Sequence, residues 1–124
     1  MDLFLAADGG GTKTRFALHD ASGYLRAEYE TGPSAWCDLG VDEAARVLLA
    51  GADALLSRAG ASRGELRAAA FCLACVGENP EGDAALFGLL GALCPRALVA
   101  NDSLAALYAA HAGKPGIAVV SGTG

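Results

Sequence analysis

The chain has 124 residues, 53% of them hydrophobic and 17 of them glycine, and carries a formal net charge of −5. That length suits one domain around one core, and the acidic balance argues against a nucleic-acid partner, whose phosphates demand basic surface. No window has the apolar length of a membrane-spanning helix, and the start lacks the basic-then-apolar pattern of a secretory leader; a cytoplasmic protein is expected, with Cys37, Cys72, Cys75 and Cys94 as reduced thiols.

Leu3 to Ala7 reads as a short strand delivering Asp8, three glycines (Gly9, Gly10, Gly11) and then Thr12-Lys13-Thr14. Consecutive glycines allow positive φ and leave no Cβ in the way, so backbone N–H groups can close on an anion. Thr12 and Thr14 add hydroxyls, and Lys13 adds a positive charge. Asp8 would repel a phosphate unless a divalent cation lay between them, and magnesium is commonly held by a carboxylate, waters and phosphates.

The plainer reading is a hairpin turn, since glycines mark turns without any ligand. The company of Asp8 and Thr-Lys-Thr directly after an apolar strand favours a phosphate loop. Walker spacing is absent. A dinucleotide fingerprint needs a helix after its glycines, whereas Lys13 to His19 reads as a second strand, followed by the turn Asp20-Ala21-Ser22-Gly23 and a third strand from Tyr24 to Glu30. Such short connections make antiparallel neighbours.

Thr31 to Gly40 has no period and many breakers, so it reads as a loop. It holds Trp36, the only tryptophan, as either a ligand wall or a cap on the core. From Val41 to Ala59 apolar residues recur at helical spacing, with Asp42 and Glu43 in the first turn and Gly60 as a stop. This helix covers a sheet and carries no chemistry.

Leu66 to Val76 is apolar apart from Arg67, consistent with a central strand covered on both faces. Cys72 and Cys75 fall inside it with C-x-x-C spacing, but no second pair completes a zinc site, so small buried hydrophobes describe them better. The loop Gly77-Glu78-Asn79 follows, in which Glu78 is either a ligand contact or an exposed acid, and Pro80 opens a helix reaching Leu93.

Ala97 to Ala100 is a short strand ending in Asn101-Asp102-Ser103, where Asp102 or Ser103 can cap the helix that continues through Ala109. A carboxylate there also lies where α/β proteins place ligands. Gly116 to Val120 reads as a further strand, followed by a second small, hydroxyl-bearing loop, Ser121-Gly122-Thr123-Gly124. A glycine loop at that point makes the chain read as one part of a longer molecule.

Three antiparallel strands followed by alternating helices and strands describe an α/β domain with a mixed sheet. Asp8 to Thr14, Gly77 to Asn79, Asn101-Asp102 and Ser121 to Gly124 can then share one sheet edge, an arrangement suited to phosphoryl transfer.

Three motifs in this order, DGGGTKT at Asp8, ND at Asn101 and SGTG at Ser121, resemble those of the BadF/BadG/BcrA/BcrD ATPase family, in particular its N-acetylglucosamine kinase-like branch. The resemblance covers all 124 residues and implies the N-terminal domain of a ribonuclease H-like, actin-type ATPase, with a mixed five-stranded sheet and helices on both faces. It implies ATP and magnesium as cofactors, a small amino sugar as substrate, and a homodimer at full length. Gly9, Gly10, Gly11, Thr12, Lys13 and Thr14 would form the first phosphate loop, with Asp8 near the metal. Ser121, Gly122, Thr123 and Gly124 would begin the second phosphate loop, and Asp102 would be the general base toward a sugar hydroxyl. Ser34, Trp36, Gly77 and Asn101 would lie around the sugar. The adenosine pocket and closing lobe belong to the family's C-terminal half, so these residues alone are expected to be inactive.

Two positions depart from that pattern: Ala35 replaces an asparagine usual in the branch, and Cys75 replaces a common glycine. The alternatives are a repressor/ORF/kinase sugar kinase, which shares the D-x-G-G-T-K start, an activase ATPase serving an iron–sulfur partner, and a non-catalytic sugar- or nucleotide-sensing domain. Gly11 and the Gly32-Pro33-Ser34 loop separate the chain from the first, and cysteines inside a strand are badly placed for the second. The function of Asp102 separates a kinase from a sensor.

Overall fold

The computed structural model describes residues 1–121. Its centre is a five-stranded sheet formed by β1 (Leu3–Gly9), β2 (Thr14–Asp20), β3 (Leu25–Thr31), β4 (Leu66–Leu73) and β5 (Ala97–Asn101). The strand order is β3-β2-β1-β4-β5, antiparallel across the first three strands and parallel from β1 through β4 to β5. This is the mixed sheet expected from the sequence. Short turns can join only antiparallel neighbours, while β4 and β5 each follow a helix.

The helices are α1 (Trp36–Leu39), α2 (Val41–Arg58), α3 (Pro80–Leu90) and α4 (Asp102–His111), and a short 3-10 turn, Arg63–Glu65, leads into β4. Strand β1 alternates strictly, with Leu3, Leu5, Ala7 and Gly9 buried and Phe4, Ala6 and Asp8 exposed. The buried face joins Phe16, Leu18, Phe71 and Leu73 to Leu48, Leu55 and Leu86 of α2 and α3 in one core. Gly51 lets α2 lie close to the sheet, because a Cβ there would run into the Phe16 ring. The opposite face of the sheet meets α4, so helices cover both faces.

Caps explain several boundaries. Gly60, at φ +66°, ends α2 as expected. Asn79 accepts from the Glu81 and Gly82 N–H groups, and Pro80 occupies the first turn of α3. Helix α4 is capped by Asn101, which accepts from Ser103 N–H at 3.0 Å, and not by Asp102 or Ser103. The asparagine oxygen takes the capping bond from the last strand position, which leaves Asp102 as the first helical residue.

The sequence reading needs three further corrections. Residues 36–39, expected as loop, form α1. Strand β4 stops at Leu73, because Cys75 and Gly77 turn the chain with φ +72° and +102°. Residues 116–120, expected as a strand, are in none: Ile117 and Val119 are 86% and 88% exposed. Apolar patterning signals a strand, but ladder bonds make one, and nothing among the described residues supplies a ladder there. No described helix is long and apolar enough to cross a membrane.

Candidate functional site

The parallel register aligns chemistry at the carboxyl ends of β1, β4 and β5. Asp8 is level with Cys72, and Cys72 with Ala100. One step on, Gly9, Leu73 and Asn101 stand in a row, and Asp102 follows at once. A cavity of ≈ 640 Å³ opens at this edge, with Asp8, Cys75, Glu78, Asp102, Ala105 and Val120 among its lining residues. Asp8 projects from the face opposite the core, toward α4, because strand alternation puts every second residue of β1 there.

Asp8 and Asp102 line the same cavity, and Cys72 lies near both. Burial holds its thiol above the ordinary value, and Asp8 and Asp102 push it the same way. Three carboxylates line this one cavity, a surface that repels phosphate unless a cation comes with it.

The glycine loop is the tip of the β1–β2 hairpin. Gly10 N–H donates to Lys13 O at 3.0 Å, leaving Gly11 and Thr12 as an exposed two-residue turn. The hairpin geometry of the plainer reading is thus present. None of Gly9, Gly10 and Gly11 has positive φ, contrary to the reason first given for them. Gly9 is instead a close-approach residue: a Cβ there would run into Ser34 Oγ and the Leu73 side chain. At Gly11 a Cβ would meet nothing within 4 Å, so its backbone is open to a ligand.

Thr14 and Ser34 are 0% and 1% exposed. The Thr14 hydroxyl shares hydrogen bonds with Gly32 O at 2.9 Å and with Ser34 Oγ at 2.7 Å, so both side chains tie loops together beneath the surface. Ser34 N–H also donates to Gly10 O at 3.1 Å. Trp36 packs against the core and lies over Gly82 at the start of α3, the placement a cap on the core would have. Ala35 is buried at the N-cap of α1, where it makes no side-chain cap.

Asn101 spends its amide on structure. Its Nδ2 donates to Val76 O at 2.9 Å while its oxygen caps α4, so it locks the β4 exit loop to the β5 end. Gly77 N–H donates to Asp83 Oδ2 at 2.8 Å. Ser121 is exposed and outside any strand, and Gly122, Thr123 and Gly124 lie outside the described residues.

The cysteines depart from expectation. Cys37 and Cys75 form a disulfide, with Cα atoms 6.1 Å apart, while Cys72 and Cys94 are free. Sequence reasoning missed the pair because its members lie 38 positions apart, and because Cys75 stands in a turn rather than inside the strand. The Cys75 departure from a glycine-bearing pattern was the available signal, since its φ of +72° is glycine-like.

A second cleft, of ≈ 340 Å³, lies between Arg15, Tyr29, Glu30 and Arg58. Three of its charged groups are engaged: Arg15 pairs with Glu30 at 2.9 Å, and Arg58 donates to the Glu28 backbone oxygen and stacks on Tyr29.

Comparison with known proteins places this edge in context. The structure resembles that of a candidate N-acetylglucosamine kinase from Chromobacterium violaceum, with TM-score 0.71, 26% identity, and coverage of 94% of this chain and 40% of that one. A candidate N-acetylglucosamine kinase from Porphyromonas gingivalis gives TM-score 0.65 and 25% identity, covering 88% of this chain and 37% of that one. The chain therefore spans about two-fifths of the length of these solved relatives. No curated protein matches. The fold is that of the actin-like ATPases, and residues 7–124 match the BadF/BadG/BcrA/BcrD ATPase family, to which this chain belongs.

Proposed function

We propose that this chain is the N-terminal lobe of an ATP-dependent kinase that phosphorylates a hydroxyl of an amino sugar, N-acetylglucosamine or a close relative. The observation that carries the reading is the meeting of Asp8 and Asp102 on one cavity beside an exposed glycine hairpin. The resemblance to two candidate N-acetylglucosamine kinases supports the substrate class.

The donor set fits magnesium: an oxygen ligand at Asp8, an acidic cavity that needs a cation, and the open Gly11 backbone next to it. When bound, the ion would draw phosphate oxygens toward Asp8 and offset their charge. The chain's own groups do the rest. Backbone N–H groups and the Thr12 hydroxyl at the hairpin tip orient the phosphates, Lys13 adds positive charge, and Gly9 and the buried Thr14–Ser34 contact hold the tip in place. Asp102 accepts the proton of the attacking sugar hydroxyl as the γ-phosphoryl group passes from ATP to that oxygen. Such transfer depends on positioning and charge offset more than on covalent chemistry by the protein.

The test is phosphoryl transfer from magnesium-ATP to a panel of amino sugars and hexoses, with the whole reading frame and its Asp102→Asn variant. The expected result is transfer to N-acetylglucosamine or a near relative, with kcat lowered about 10²- to 10⁴-fold in the variant. Sugar or nucleotide binding without transfer in either protein would replace the kinase with a sensor.

A further inference from the structure

We propose that Cys37 and Cys75 form a reversible thiol–disulfide lock between the Gly32–Trp36 loop with α1 and the wall of the Asp8–Asp102 cavity. Three independent placements support it. Cys75 lines the cavity itself, while Cys37 sits on α1 directly after Trp36. The 6.1 Å between their Cα atoms lies within the range that disulfides span. Cys75 holds a left-handed φ of +72°, a conformation costly for a non-glycine residue, and it persists at the position whose side chain joins the two loops.

Cys37 is exposed and Cys75 half-buried, so an oxidant reaches Cys37 first. A small-molecule disulfide supplies the chemistry. The Cys37 thiolate attacks one of its sulfurs, forms a mixed disulfide and releases one thiol. The Cys75 thiolate then attacks the Cys37 sulfur, expels the second thiol and closes the bridge. Two protein thiols and one disulfide thus become one protein disulfide and two small thiols. In a reducing compartment the pair rests as thiols and closes under oxidative load. Without the bridge, the loop keeps the Ser34–Thr14 and Ser34–Gly10 hydrogen bonds and the packing of Trp36 on Gly82.

The only tryptophan is next to Cys37, so the lock has an optical reporter that needs no substrate. The experiment equilibrates the whole-reading-frame protein across glutathione redox buffers, following Trp36 emission and mapping thiols by differential alkylation and peptide mass spectrometry. One two-electron transition is expected in both signals, assigned to a Cys37–Cys75 peptide. It should be lost in Cys37→Ser and in Cys75→Gly, the latter chosen because glycine suits the backbone there. It should be kept in Cys72→Ser.

Glu78 stands with the two sulfurs in a cluster within 4.8 Å, so zinc is added as a competing probe. Stoichiometric zinc binding that fails in Glu78→Gln, with no bridge in any buffer, would overturn the lock. So would alkylation of both thiols at every potential. The effect on ligand rests on the proposed function: the bridged form, with its loop fixed in advance, should bind N-acetylglucosamine more tightly than the reduced form. Equal affinity in both states would overturn the lock's role at the site. No sugar binding in either state, with the bridge mapped, would count against the proposed substrate and leave the lock standing.

Discussion

Thr14 and Ser34, twenty positions apart, share a 2.7 Å hydrogen bond at 0% and 1% exposure, and this contact fixes the glycine hairpin to the loop that follows β3. Neither hydroxyl is open to a ligand, yet together they set where two ligand-facing loops stand. Thr14→Val should leave the Ser34 hydroxyl short of a partner in a dry site and cost about 1–3 kcal/mol. Removing both hydroxyls with Thr14→Val and Ser34→Ala should cost less than the sum of the single changes, because neither hydroxyl is then left facing a missing partner, while the Gly32 carbonyl loses its donor equally in the Thr14 single and the double variant. Urea unfolding of the four proteins as a double-mutant cycle measures this, and strict additivity would contradict the coupling.

The glycine run makes a second contrast. Gly9→Ala places a Cβ against Ser34 and Leu73, and overpacking of this kind costs about 1–3 kcal/mol. Gly11→Ala meets nothing within 4 Å and has no positive φ to accommodate, so stability should stay within about 0.5 kcal/mol. If the tip cradles phosphate, Gly11→Ala weakens nucleotide binding at unchanged stability. Thermal unfolding alongside ATP titration separates the two glycines, and equal destabilisation by both would refute the assignment.

The same residues show what was legible in the sequence. The short apolar run of β1 ending in Asp8 and the helical period of α2 wrote these elements plainly, the second because one buried face imposes one repeat. The short loops between the first three strands fixed their antiparallel pairing, and the helices before β4 and β5 implied parallel crossovers. Facts that depend on partners distant in sequence were not legible: the Thr14–Ser34 contact, the Cys37–Cys75 bridge and the packing of Trp36 on Gly82. The apolar run ending at Val120 misled for the same reason, since a strand is defined by the neighbour it pairs with.

Asp53 and Arg63 predict a pH response. Two hydrogen bonds of 2.8 and 2.7 Å from the Arg63 guanidinium hold the Asp53 carboxyl below its ordinary value and tie α2 to the turn before β4. A folded-state value below the unfolded one contributes stability above the unfolded pKa, about 3.9. That contribution is lost as pH falls through the folded value. The pair is half exposed, so its worth is below about 1 kcal/mol. Asp53→Asn should be slightly less stable than the parent at neutral pH, and the gap should close once both states of the parent are protonated. Urea midpoints across an acid series test this; a gap that widens on acidification would reverse the sign.

Asn101 offers the sharpest separation of two bonds in one side chain. Its oxygen caps α4 and its Nδ2 donates to Val76 O, so it joins the β5 end to the loop that carries Cys75 and Gly77. Asn101→Ala removes both, losing a cap worth about 1 kcal/mol and leaving the Val76 carbonyl short of its donor. Asn101→Asp keeps an oxygen for the cap but faces the Val76 carbonyl with a second oxygen instead of an N–H, so it loses that bond, about 0.5–1.5 kcal/mol, and adds an oxygen–oxygen repulsion that a turn of the side chain can relieve. Asp102 is the next residue, and the cap fixes how α4 presents it to the cavity. Both variants should therefore lower kcat for phosphoryl transfer while stability ranks the parent first, Asn101→Asp second and Asn101→Ala last. If Asn101→Asp proved as unstable as Asn101→Ala, the cap would not be what holds this end of α4, and the Val76 bond alone would have to account for the placement of Asp102.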